Sequence, residues 1–223
     1  MMTIKVFWQD PYLTELETTI KTVNGNQITL TETIFYAFSG GQESDAGTIG
    51  GYQVLKAQKD GFEIYYTLPD DHKLNENDLV KVVIDWDRRY KLMRLHFAAE
   101  VVLELVCQKF PNINKVGAHI SQNKARIDFV WDGSISPFLI DIQNSAQAII
   151  DSNQPIVSAF SDESAERRYW KINEFSSVPC GGTHIKTTGE IGAIRLKRIN
   201  PGKGIERIEI FAQDQFLNIM EEK

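Results

Sequence analysis

The apolar period of this chain changes at Asp87. Before it, hydrophobic residues alternate in short runs separated by turns; after it, from Arg88 to Phe110, they recur at Leu92, Leu95, Ala99, Val102, Leu103, Val106 and Phe110. A period of two lines one face of a strand, while spacings of three and four line one face of a helix. The break therefore predicts two domains, residues 1–86 and 87–223.

The first is expected to be a small all-β, barrel-like domain. Its runs TIKVFWQ, ELETTIKTV and QITLTETIFYAF come first, the last two flanking Asn24-Gly25-Asn26, and Asn-Gly is a strong hairpin signal. YQVLKAQ and FEIYYTL follow around Lys59-Asp60-Gly61, and LVKVVIDW closes the series. Between strands, FSGGQESDAGTIGG carries five glycines within residues 40–51 and reads as a loop.

The second domain is expected to be α+β, with helices packed on an antiparallel sheet. After the long helix come strands KVGAHIS and KARIDFVW, then a helix capped by Ser136, with Pro137 in its first turn, running to about Ser152. DESAERRYW reads as a shorter helix, AIRLKRI and ERIEIF as a hairpin around Asn200–Gly204, and the tail from Gln213 as helical.

The chain is 42% hydrophobic without an apolar run near the ~20 residues of a membrane span, and it opens on MMTIKVFWQD, which has no leader-like character. A soluble, cytoplasmic protein without a membrane partner is expected. Two cysteines are too few for a disulfide framework. Cys107, inside VVLELVCQKF, reads as a small buried hydrophobe. The net charge is −6, yet residues 167–207 hold nine Lys and Arg against three Asp and Glu. Such a basic surplus suits either solvated strand edges or phosphate contacts.

Chemistry concentrates in two pairs. His96 and Glu100 lie four apart on the long helix, hence one turn apart on one face. Glu100 stands among aliphatic residues in LHFAAEVVLEL and needs a neutralising partner, either a metal ion or an arginine such as Arg94. Cys180 and His184 bracket two glycines in PCGGTH, a sequence unsuited to helix, whose glycines let the backbone curl so that both side chains face one point. Thiolate and imidazole are the usual zinc ligands, so His96, Glu100, Cys180 and His184 form the candidate metal set. His72 reads as a loop residue and His119 as a strand residue of structural role.

These residues resemble a known family. DWDRRYKLMRLHFAAEVVLELV followed by CGGTHIKTTGEIG is similar to the editing domain shared by alanyl-tRNA synthetase and its free-standing AlaX relatives, with His-x3-His on a helix and Cys-Gly-Gly-Thr-His on a later loop. TIFYAFSGGQESDAGTIG resembles the Thr-x-Phe-Tyr-Pro and glycine-rich segment of the longer AlaX proteins. The resemblance implies a zinc-bearing hydrolase that removes serine, with glycine as a second error, from tRNA(Ala). It implies His96, Cys180 and His184 as ligands, and places Thr33, Gly40, Gly41 and Gln42 at the substrate pocket. Thr33 is then the contact for the serine hydroxyl, while Arg167, Arg168, Lys186, Lys197 and Arg198 face tRNA phosphates. Three positions depart from the pattern: Glu100 replaces a histidine, Ala37 a proline and Ser39 a glycine. Three ligands leave a coordination position for water, and Glu100 serves as a further ligand or as the base. Two alternatives follow from the departures: a metal-free, inactive tRNA-binding relative, and a metal hydrolase acting on another ester or amide.

Overall fold

The computed structural model describes residues 2–213, and the helical tail expected after Gln213 lies outside the described residues. The chain divides into two compact units, its first 39 residues with Glu43–Tyr90, and Gly40–Gln42 with the chain from Lys91 onward. Three residues of the glycine-rich loop thus count with the second unit.

The first unit contains β1 (Ile4–Lys5), β2 (Glu15–Asn24), β3 (Gln27–Leu30), β4 (Glu32–Thr33), β5 (Gly47–Ile49), β6 (Tyr52–Gln53), β7 (Lys56–Asp60), β8 (Glu63–Thr67) and β9 (Leu79–Ile84). Seven of them form one curled sheet in the order β6-β5-β9-β2-β3-β8-β7. The bend lies in β2, whose Glu15–Thr19 half pairs with β9 and whose Ile20–Asn24 half pairs with β3. The register slips between Ile20 and Thr22, and an extra residue at such a point bends and twists a strand. Curling lets Ile20, Ile28, Leu30, Ile64, Tyr66 and Val82 share one core. TIKVFWQ departs from its expected strand: only Ile4–Lys5 pair, with β4, and Val6–Trp8 form a 3-10 turn that buries Phe7 with its ring 5.3 Å from Tyr36.

Helix α1 (Trp86–Lys109) begins in this unit with Arg89 fully buried. Its guanidinium donates to Asp45 Oδ1 at 2.7 Å, Ile34 O at 2.6 Å and Pro11 O at 3.0 Å, while Asp45 Oδ2 accepts the Tyr36 N–H at 2.6 Å. Ile34–Ala37 has no strand ladder, and the Arg89–Asp45 pair supplies hydrogen bonds in its place. Removing one partner of a buried ion pair leaves the other charge stranded. Asp45→Asn is therefore expected to destabilise the first unit by about 3–5 kcal/mol, read from hydrogen exchange of β2 and β9. A loss within ~0.5 kcal/mol, as at an ordinary surface site, would refute this role.

The second unit contains most of α1, then β10 (Asn114–Ile120), β11 (Ala125–Val130), α2 (Ser136–Asp151), β12 (Val157–Asp162), β13 (Arg167–Ile172), β14 (Ser176–Pro179), β15 (Ile194–Gly202) and β16 (Ile205–Ala212). One antiparallel sheet runs β10-β11-β16-β15 and a second β12-β13-β14. Edge strand β15 is covered by α2: Gln147 Oε1 accepts the Ile194 N–H at 2.9 Å and Gln143 Oε1 the Leu196 N–H at 2.8 Å. Amide side chains thereby satisfy donors that would otherwise invite another strand.

Four expectations change here. DESAERRYW spans the turn and second strand of the β12/β13 hairpin instead of a helix; burial alternates at Arg168, Trp170 and Ile172, and pairing on both sides of β13 overrides helix propensity. Helix α1 is enclosed all round from Leu92 to Ala99, so its stripe marks only part of the buried surface. The second helix starts at Ser136, and it is Ser134 Oγ that accepts the Ser136 N–H, at 3.2 Å. Cys107 is half-buried.

Candidate metal centre

The centre lies where α1 meets the stretch after β14. Cys180 leaves β14 with its N–H bonded to Arg168 O at 2.9 Å. Downstream, Ile156 N–H binds Lys186 O at 2.9 Å, Gln154 and Thr188 exchange backbone and side-chain bonds at 2.9 Å, and Thr187 with Glu190 forms a capping box on the following 3-10 turn. Anchored at both ends, the loop has little freedom. Neither Gly181 nor Gly182 takes a left-handed conformation, so the expected curl has another cause. Gly182 is a matter of space: a Cβ there would overlap the His96 ring and come within 2.9 Å of Gln42 Oε1.

His96 Nε2 and His184 Nε2 each lie 3.3 Å from Cys180 Sγ, and the ligand atoms of the three residues fall within 4.8 Å of one another. The two imidazoles stand edge to face with centroids 5.3 Å apart. Phe97 closes one side, 5.5 Å from His184 and 5.2 Å from Trp170. Glu100 is outside the convergent set: its Oε1 is 3.5 Å from His96 Nε2 and its Oε2 accepts the Trp170 indole N–H at 2.9 Å. Arg94, the alternative partner for Glu100, donates instead to Ile191 O at 2.8 Å.

The electrostatics favour a cation at this point. Burial alone would depress His96, but its hydrogen-bonded and electrostatic contacts with Cys180 and Glu100 push it up to about 10. Burial would raise Glu100, yet its bond to His96, the His96 charge and the Trp170 N–H hold it down to about 2. Burial, then the neighbouring His96 charge, keeps His184 well below the ordinary range. A sulfur and two imidazole nitrogens, with a carboxylate alongside, are donors that zinc accepts, and both outer imidazole nitrogens have partners: His96 Nδ1 meets Gln42 Oε1 at 2.5 Å and His184 Nδ1 meets Ser158 Oγ at 2.8 Å. The donor set fits the metal.

Other expected site residues take varied positions. Gly41 has φ +87°, where a side chain would also press within 2.6 Å of Ala118 O, and its carbonyl accepts the Ile120 N–H at 2.8 Å. This stitching carries Gln42 to His96. Thr33 is buried in the first unit, its hydroxyl 2.8 Å from Tyr66 Oη and accepting the Phe35 N–H at 3.0 Å. Arg167, Lys186 and Lys197 are exposed, whereas Arg198 pairs with Glu206 and Arg168 is buried, its guanidinium 5.2 Å from the Phe160 ring centroid. His119 is on β10 opposite Arg126, and His72 Nε2 is 2.9 Å from Gly25 O. Sequence reasoning missed Ser158 and Trp170. The apolar-polar alternation of Trp170-Lys171-Ile172 was a signal for Trp170; nothing local marks Ser158.

The chain is also similar to known proteins. Residues 168–209 match the threonyl and alanyl tRNA synthetase second additional domain. The chain is 33% identical over 216 residues to the alanyl-tRNA editing protein AlaX-M of Pyrococcus horikoshii, an alignment covering 95% of this chain and 99% of that protein. It is 32% identical over 234 residues to AlaX-M of Saccharolobus solfataricus, covering 93% and 98%. Against the alanine–tRNA ligase of Methanococcus maripaludis the identity is 32% over 225 residues, 92% of this chain but 25% of the ligase.

Proposed function

This chain belongs to the AlaX-M family of alanyl-tRNA editing proteins, and we propose that it is a metal-dependent deacylase releasing serine from mischarged tRNA(Ala). What supports the reading is the convergence of His96, Cys180 and His184 beside a buried carboxylate. Zinc held by those three residues would supply Lewis-acid polarisation of the ester carbonyl and make attacking water more acidic. Glu100 takes up the proton of that water at Oε1, while the Trp170 indole holds Oε2 and prevents the carboxylate from rotating away. Gln42 and Ser158 keep the two imidazoles turned with Nε2 inward. Arg167, Lys186 and Lys197 supply phosphate contacts for the tRNA.

Serine is the substrate because an apolar alanine pocket rejects an added hydroxyl poorly, so a second site must read that hydroxyl. Thr33 is assigned this contact on the strength of the family resemblance. The single proton of Tyr66 goes to Phe35 O at 3.0 Å, so Thr33 donates to Tyr66 while accepting the Phe35 N–H, and its hydroxyl keeps one lone pair that can accept a serine O–H.

Purified protein is expected to release serine from Ser-tRNA(Ala) and to spare Ala-tRNA(Ala). Activity should vanish with a chelator and return with zinc, and Thr33→Val should lose preference for serine over glycine. Serine release no faster than in buffer would leave only tRNA binding, and release unaffected by metal removal would overturn the metal reading.

A further inference from the structure

Gln42 is fully buried, and its side chain makes three hydrogen bonds, one to His96 of the metal centre and two to Thr183 on the loop that carries Cys180 and His184. The carboxamide oxygen is 3.3 Å from the Thr183 N–H and 2.5 Å from His96 Nδ1, while its nitrogen donates to Thr183 Oγ1 at 2.9 Å. A backbone N–H can only donate, so the atom facing Thr183 N is the oxygen, which settles the orientation of the amide. The same oxygen faces His96 Nδ1, and that nitrogen must therefore carry a proton. With the Nδ1 proton held by Gln42, Nε2, which faces Cys180 Sγ, is the nitrogen that can give up its proton to bind a cation.

The contact is built rather than incidental. Gly182 has no side chain where one would overlap both His96 and Gln42, and Gly41 permits the close approach that binds this segment to β10. We propose that Gln42 is a positioning residue of the metal centre, fixing the His96 tautomer and reserving Nε2 for the ion, instead of a contact for substrate. The inference rests on His96, Cys180 and His184 being a metal site.

Its test is zinc affinity, measured by competition with a chromophoric chelator, for the parent, Gln42→Leu and Gln42→Glu. Leucine matches glutamine in bulk but accepts no hydrogen bond, so affinity should fall about 10- to 100-fold; glutamate keeps an oxygen acceptor and should restore most of it. A role in packing alone gives the opposite order, with leucine tolerated and the buried charge of glutamate damaging. Nitrogen-15 NMR of the zinc-loaded parent supplies a readout independent of any variant's folding: the His96 proton is expected on Nδ1 with metal on Nε2, and the reverse overturns the proposal. Parent protein that takes up no zinc refutes the metal reading itself. Parent that binds zinc with Gln42→Leu unchanged refutes only the role of Gln42.

Discussion

Glu100→Gln is expected to retain zinc and to lose serine release by about 10²–10⁴-fold, the range for a removed general base. The substitution preserves shape and the capacity of one oxygen to accept from the Trp170 indole, so the local packing survives. What it removes is the negative charge and the proton-accepting oxygen 3.5 Å from His96 Nε2. Metal analysis alongside single-turnover deacylation separates the possible roles. Zinc lost together with activity would make Glu100 a ligand, as the matching family histidine suggests; zinc and rate both unchanged would remove it from the mechanism.

Gly182→Ala is expected to lose both zinc and activity, and by more than the ~10–100-fold typical of changing a residue that merely supports a ligand. An added methyl overlaps the imidazole of His96, a ligand in the proposed set, and backbone on one side with buried helix on the other leaves the ring nowhere to go. Gly181→Ala is the internal control. Its Cβ would meet nothing within 4 Å and its φ is not left-handed, so metal content and rate should stay at parental values. Equal behaviour of the two variants would show that the loop tolerates displacement and that close approach at residue 182 is unimportant.

Much of the fold could be read from local pattern. Alternation and Asn-Gly marked the β2/β3 hairpin, and the Asn200–Gly204 turn marked β15/β16. Failures came where tertiary pairing outweighed propensity. DESAERRYW is rich in helix formers, yet β13 is paired along both edges, and hydrogen bonds to two neighbours outweigh the small differences in intrinsic preference. TIKVFWQ alternates like a strand, but Phe7 is buried only because the chain turns at Val6–Trp8.

The chemistry divides in the same way. Residue type and spacing along the chain were enough to nominate His96 with Glu100 and Cys180 with His184, because a helical turn and a short loop are local geometry. Which of the four converge, and what holds them, depends on residues far away in sequence: Gln42 lies 54 positions from His96, Trp170 lies 70 from Glu100, and Ser158 lies 26 from His184. No local period encodes such contacts. They exist because burial forces every imidazole nitrogen and carboxylate oxygen to find a partner, and only the folded chain decides which partner is within reach.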